Sequence, residues 1–457
     1  MSAVFQVGDT IVARATPPGT GGIAVVRISG PLVPQIAQAM LGLLPAERTA
    51  TFRAFRDAEG DLLDQGIALY FKAPHSFTGE DVLELHAHGG PMVVSGLVDA
   101  AVDLGARRAA AGEFSKRAFL NDKLDLAQAE AIADLIASGS SQARRAALRS
   151  LSGAFSQAVD RLREKLDRLR VQVEAAIDFP EEEIDFLNDE ALSADLVGCG
   201  DAFEALRSDA SAGQVLRDGY RAVIVGRPNA GKSSLLNLLS GQEAAIVTEV
   251  AGTTRDILRE QINIDGLLVE LVDTAGLRDQ PDRIEAEGIR RAREALRQAD
   301  AILWIEDARE RDDDGAPHDY ASSRGEDLPA DVPLVLVRNK IDLTGEAPGL
   351  RQRQPPAVAI SARTGEGIDA LRALIRELAG YRDLGEGAFT ARHRHIDALD
   401  RARHHFDAGR EALGNTGAGE LLAEELRLSR EALGEITGAI TSDDLLGRIF
   451  AEFCIGK

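Results

Sequence analysis

Gly226-Arg227-Pro228-Asn229-Ala230-Gly231-Lys232-Ser233 spells GxxxxGKS, between an apolar run, Arg221 to Val225, and a leucine-rich helical stretch. Glycines let the backbone wrap a phosphate chain with N–H groups pointing inward. Lys232 brings a mobile positive charge to the outer phosphates, and the Ser233 hydroxyl suits magnesium. Further on, the apolar run Val332 to Val337 ends in Asn339-Lys340-Ile341-Asp342, and Ala357 to Ile360 ends in Ser361-Ala362-Arg363. The Asp342 carboxylate can accept two hydrogen bonds from the N–H groups on one edge of guanine. Adenine offers no such pair, and a site of this kind rejects the wrong base by roughly 10⁴-fold. Thr254, in Gly252-Thr253-Thr254-Arg255-Asp256, adds a second magnesium-side hydroxyl. Asp273, in Asp273-Thr274-Ala275-Gly276, adds an acid for the metal's water shell and a glycine that senses the last phosphate. Asp265-Gly266 joins two alternating runs as a hairpin. Order and spacing predict a P-loop GTPase domain binding GTP and magnesium.

The position after Asp-Thr-Ala-Gly, where many GTPases carry a glutamine that orients water, is Leu277. An alkyl chain cannot do this. The candidates are carboxylates in Asp282-Arg283-Ile284-Glu285-Ala286-Glu287, at the start of the next helix, and spacing alone does not choose among them.

These residues must be positioned by a chain of 457 residues, long enough for about three domains. The first ~110 residues read as α/β, with strands at 23–28, 67–71 and 82–86 and a helix at 91–104. From about Phe114 the pattern turns helical: Phe155, Val159, Leu162, Leu166, Leu169, Val173 and Ala176 form one apolar stripe, continued by Leu192, Leu196, Cys199, Phe203 and Leu206. The rhythm returns after the GTPase motifs, in Leu422, Leu426, Ser429, Leu433 and Ile436, then Leu446, Ile449, Phe450 and Phe453. Both flanks are expected to form one bundle interrupted by the GTPase module. The expected division is 1–120 (α/β head), 121–217 (helical, first part), 218–380 (GTPase) and 381–457 (helical, second part).

Only Cys199 and Cys454 are present, which excludes a disulfide framework and fits a reducing cytosol. Cys454 is expected to pack as a small apolar residue. With neither an apolar run of ~18 residues nor a signal pattern, the expectation is a soluble, cytoplasmic protein free of membranes. A net charge of −22 argues against broad nucleic-acid binding, so RNA contact must be local or borrowed from a partner. His86 and His88, and His393, His395, His404 and His405, read as polar surface or core histidines rather than metal ligands. The acidic runs at 181–183 and 312–314 read as solvated loops.

Taken together with the terminus Phe453-Cys454-Ile455-Gly456-Lys457 and the stretch Gly112-Glu113-Phe114-Ser115 through Asn121-Asp122-Lys123-Leu124-Asp125, the motifs resemble the tRNA modification GTPase family MnmE (TrmE) over essentially the whole length. The resemblance implies a homodimer working with the flavoprotein MnmG as a heterotetramer. The pair would install a carboxymethylaminomethyl or aminomethyl group at C5 of the wobble uridine, on tRNA held largely by the partner. It further implies a tetrahydrofolate derivative (5-formyl or methylene) on the head, at Arg27, Glu84, Lys123 and Lys457. The nucleotide would meet Asn229, Ala230, Gly231, Lys232, Ser233, Ser234, Thr248, Thr254, Asp273, Thr274, Ala275, Gly276, Asn339, Lys340, Asp342, Ser361, Ala362 and Arg363. Magnesium would sit on Ser233 and Thr254, and potassium on Asn229, Thr248, Val250 and Thr253. The family's water-organising acid falls on Glu285. A GTP-gated ribosome-assembly or regulatory switch is the alternative; ribosome-assembly GTPases normally carry a basic RNA-binding module, which this acidic chain lacks.

Overall fold

Alternation from Ala24 to Ile28 and from Leu83 to Gly89 turns successive side chains to opposite faces of one sheet. The computed structural model describes residues 8–178, 190–242, 259–273, 294, 296–309, 329, 332–381 and 387–456. The chain divides into two units, Met1–Ala133 with Leu151–Leu196 and Arg401–Lys457, and Asp134–Ser150 with Val197–Asp400.

The first unit holds strands β1 (Ile11–Arg14), β2 (Gly21–Ser29), β3 (Thr51–Arg56), β4 (Leu62–Phe71), β5 (Val82–Gly89) and β6 (Arg107–Arg108). They are ordered β3-β4-β5-β2-β1-β6, antiparallel except for the β1–β6 pair. Ala24, Val26, Ile28, Leu83, Leu85 and Ala87 are buried with the apolar faces of helices Val33–Leu41 and Pro91–Asp103. The alternate residues Arg27, Glu84 and His86 therefore turn to the opposite face. Helix Glu113–Leu120 is fastened there by ions. Arg117, almost wholly buried, pairs with Glu80 at 3.0 Å, Glu113 at 3.2 Å and Asp9. Arg107 forks onto Glu113 at 2.6 and 3.1 Å. Burial pushes the Glu113 carboxyl up, but the Arg107 fork and the Ala110 N–H outweigh it and hold it below its ordinary value. The charges of such a network stay paired only if the helix keeps its place.

Helix Ala154–Asp178 buries the predicted stripe from Phe155 to Val173, with Ala176 half-buried, and packs along Gly419–Thr437, which buries Leu422, Leu426, Ser429, Leu433 and Ile436. Arg430 reaches Asp167 at 2.6 Å across them. Helix Asp443–Ala451 and Phe453 cluster with Leu126 and Ala129. The tail then runs back to the head. Ala111 pairs with Ile455, and Gly456 (φ 99°) lies so close to β1 that a Cβ would stand 2.0 Å from the Arg14 carbonyl oxygen. Only glycine fits such an approach. Cys454, expected to pack, is instead exposed, because Phe453 and Gly456 take the buried positions of this extended segment.

The second unit is built on β7 (Tyr220–Gly226), β8 (Arg259–Ile264), β9 (Leu267–Asp273), β10 (Ala301–Asp307), β11 (Leu334–Asn339), β12 (Gly349–Arg351) and β13 (Ala357–Ala359). The order is β12-β13-β11-β10-β7-β9-β8, parallel but for the two edge strands. Central strands such as Ala301–Asp307 read as nearly continuous apolar runs because both faces are covered. β11 starts two residues later than the apolar run suggested. Pro333 has no N–H for the ladder and serves only as acceptor, from Ile302 at 2.8 Å. β13 ends one residue short of the expected Ile360.

In the same unit, the buried Asp134 of helix Leu126–Ala137 accepts on one oxygen from Arg217 at 2.9 Å and from Arg392 at 2.8 Å. Arg217 stands three residues before β7, and Arg392 immediately before helix His393–Thr416. Among the described residues, no helix is long and apolar enough to cross a membrane.

Candidate functional site

The parallel strands β7, β10 and β11 all end at one edge of the sheet. Registers pair Gly226 with Ile305, and Asp307 with Asn339. Loops leaving the carboxyl ends of parallel strands are where α/β sheets bind ligands. From β7 the chain turns through Asn229, itself left-handed at φ 64°, into helix Lys232–Gln242. The first N–H groups of that helix have no acceptor within it and, with its dipole, suit an anion. Ser233 and Ser234 are exposed there. Lys232 Nζ donates to the carbonyls of Gly226 at 2.9 Å and Arg227 at 2.8 Å, which centres its ammonium inside the turn.

Asn339 ties the loops together. Nearly fully buried, it donates to the Ala230 carbonyl at 2.9 Å and accepts from the N–H groups of Lys340 at 2.8 Å and Ala362 at 2.9 Å. Gly231 (φ 101°) presses against it: a Cβ would stand 2.1 Å from Asn339 Nδ2. The phosphate loop, Asn-Lys-x-Asp and Ser-Ala-Arg thus meet at one side chain. Ser361 accepts from the Thr364 N–H at 3.2 Å and donates to Asp342 at 2.7 Å, which orients the carboxylate. Arg363 lies 3.9 Å from that carboxylate. Lys340 donates to the Asn229 carbonyl at 2.6 Å and to Asp307 at 2.8 Å. Hydrogen bonds from Arg309, with Lys340 beside it, hold the Asp307 carboxyl far below the usual carboxylate range.

A second group lies on the open face of the head sheet. Arg27 and Glu84 are directly opposed across β2 and β5 and bond at 2.8 Å. The Arg27 guanidinium stands 5.3 Å from the centre of the Phe77 ring and 5.7 Å from that of Phe114, within cation–π range. His86 Nε2 is buried, makes no hydrogen bond to the described residues and lies 3.5 Å from the second Glu84 oxygen. Lys123 donates to the Pro74 carbonyl at 3.0 Å, and its aliphatic stem lines Gly79. Residues 74–79 therefore touch both Lys123 and Arg27. Gly456 brings the chain terminus to β1, the neighbour of β2.

The structure thus gathers Asn229, Ala230, Gly231 and Lys232 with Asn339, Lys340, Asp342, Ser361, Ala362 and Arg363, and separately Arg27 with Glu84. The backbone of Asp273 ends β9, paired with Ile224 of β7; its side chain, with Thr248, Val250, Thr253, Thr254, Thr274, Ala275, Gly276, Leu277, Asp282, Glu285, Glu287 and Lys457, lies outside the described residues. So do the acidic runs at 181–183 and 312–314. Of the other histidines, His88 pairs with Asp64 at 2.8 Å, His393 with Asp397 at 3.2 Å and His405 with Glu425 at 2.7 Å, buried His395 accepts from the Arg392 N–H at 3.0 Å, and His404 lies tilted beside the His405 ring. Asp307 and Phe77 were not singled out from the sequence, and Phe114 only as part of the Gly112 to Ser115 stretch. Asp307 carries a weak signal, closing the apolar run Ala301-Ile302-Leu303-Trp304-Ile305.

Residues 126–454 match the family described as "MnmE helical domain", and residues 10–123 match "GTP-binding protein TrmE N-terminus". The chain is similar to the tRNA modification GTPase MnmE of Alkalilimnicola ehrlichii, 57% identical over 449 residues, and of Photobacterium profundum, 54% identical over 451 residues. Both alignments cover 98% of this chain and 99% of the relative. The protein of the same description from Vibrio cholerae is 53% identical over 451 residues, with the same coverage.

Proposed function

Since the chain belongs to the MnmE family of tRNA modification GTPases, we propose that it is the GTP-hydrolysing subunit of a complex that modifies the wobble uridine of tRNA at C5 with an aminomethyl or carboxymethylaminomethyl group. The observation that carries the reading is the convergence on Asn339 of the phosphate loop, the guanine-reading Asp342 loop and the Ser361 loop. In this reading Lys232 and the N–H groups of its helix hold the phosphates, and Asp342 reads the base. Ser233 and Thr254 hold magnesium, which neutralises phosphate charge. Ser233, exposed at the helix start, suits a hard cation.

Asn229, with backbone oxygens around Thr248, Val250 and Thr253, is assigned to potassium. The fit rests on Asn229 being exposed in a left-handed turn whose carbonyl Lys340 already fixes. A cation there neutralises charge developing on the transferred phosphate. Hydrolysis is accordingly expected to run about 10²-fold faster in potassium than in sodium chloride at matched ionic strength. Asn229→Ala should erase the difference, and equal parental rates in both salts would remove the assignment.

A tetrahydrofolate derivative, which supplies the one-carbon unit, is assigned to Arg27, Glu84, Lys123 and Lys457. A carboxylate beside an arginine between two aromatic rings, next to a buried imidazole nitrogen without a hydrogen bond among the described residues, suits a flat heterocycle with donors on one edge. The domain limits remain 1–120, 121–217, 218–380 and 381–457, with the GTPase module as the insertion. The chain acts in the cytoplasm as a homodimer with the flavoprotein MnmG. The test is reconstitution of purified chain, flavoprotein, folate, GTP and unmodified tRNA, with the modified nucleoside read by mass spectrometry. Modification requiring GTP and folate is expected. Hydrolysis without modification would instead favour a GTP-gated switch.

A further inference from the structure

We infer that Asp307 is a positioning residue for the guanine-nucleotide site, acting through Lys340; the inference rests on the GTP-binding reading above. Asp307 closes β10, the strand between β7 and β11, and so stands at the sheet edge between the phosphate loop and the guanine loop. Its carboxylate is closed on every side. One oxygen accepts from the Arg309 backbone N–H and Nε, each at 3.0 Å; the other accepts from Arg309 at 2.7 Å and from Lys340 at 2.8 Å. An arginine fork of this kind fixes the plane of a carboxylate as well as its place. Fixed this way, Asp307 offers Lys340 one direction.

Lys340 needs that direction, because lysine is a flexible stem with a rotating ammonium and does not aim itself. Its backbone is left-handed at φ 69°, and its ammonium also donates to the Asn229 carbonyl at 2.6 Å. Asn229 is left-handed as well, a conformation asparagine tolerates, and the Lys340 bond to its carbonyl holds the bend in place. The chain Arg309, Asp307, Lys340, Asn229 thus links the end of β10 to the bend of the phosphate loop. Losing the carboxylate leaves the ammonium without its counter-ion and releases the Asn229 carbonyl.

The test measures GDP affinity of the full-length chain, with thermal melting as a check of folding. Asp307→Ala is expected to raise the Kd for GDP about 10- to 100-fold, the size expected for a lost charge-assisted hydrogen bond in a partly buried setting. Arg309→Ala keeps the carboxylate but not its fork, and should weaken binding less. In a Lys340→Met background, Asp307→Ala should add at most about twofold, since the group it aims is gone. A purely structural aspartate would give additive losses in the double variant, or a lower melting temperature with unchanged affinity, and either result overturns the inference. Should Asp307→Ala fail to fold, Arg309→Ala alone and in the Lys340→Met background measures the same coupling, and additive losses there overturn it equally. A parent chain that binds no guanine nucleotide would instead overturn the reading beneath.

Discussion

Glu285→Ala is expected to bind GTP as tightly as the parent chain and to hydrolyse it about 10²-fold more slowly. Leu277 is the reason, since its alkyl chain cannot orient a water molecule where many GTPases place a glutamine. A carboxylate acting through a bridging water can supply the alignment, and Glu285 is the one the family resemblance selects. It lies twelve positions after Asp273. Asp282→Ala and Glu287→Ala are expected to stay close to the parent rate. Single-turnover hydrolysis and GTP affinity of the three variants decide the assignment. An unimpaired Glu285→Ala, or one defect shared by all three, shows that the acid is elsewhere.

Asp342→Asn should weaken GTP binding about 10²- to 10⁴-fold, the cost of two charge-assisted hydrogen bonds, and admit xanthine nucleotides. The local geometry makes the direction of the change explicit. Ser361 already accepts from the Thr364 N–H, so its own proton goes to one oxygen of residue 342. In the variant that oxygen remains the amide carbonyl, and the nitrogen turns towards the base. Guanine presents donors there; xanthine presents an oxygen. Competition between GTP and xanthosine triphosphate on the folded variant is the measurement, and an unchanged preference for GTP would mean that the base is read by other groups.

What could be read in the sequence was whatever depends on local period and short motifs. The stripe from Phe155 to Val173 is buried as its spacing requires, and the strands leading into Gly226 and Asn339 end where their motifs begin. What depends on distant pairing was not legible. Opposing Arg27 to Glu84 requires β5 to pair with β2, a register that no local pattern fixes. Asp307 belongs to no motif; its place follows from β10 lying between β7 and β11. Asn339 was read as a nucleotide contact, and its bonds to Ala230 and Ala362 add the role of a brace between loops. Cys454 went the other way: composition favours burial of cysteine, but the register of the tail gives the buried positions to Phe453 and Gly456.

Asp134 accepts from Arg217 and Arg392, partners 83 and 258 positions away in the chain, on a single oxygen. Everything between those arginines therefore leaves and returns through one doorway. For a segment closed at its base, lengthening is cheap: doubling a flexible loop costs only about 0.6 kcal/mol in closure entropy. For the same reason the segment can be cut out and its stumps joined by a bridge of a few residues, or exchanged for another module whose ends lie equally close. The carboxylate works as a socket that holds both ends of this segment together.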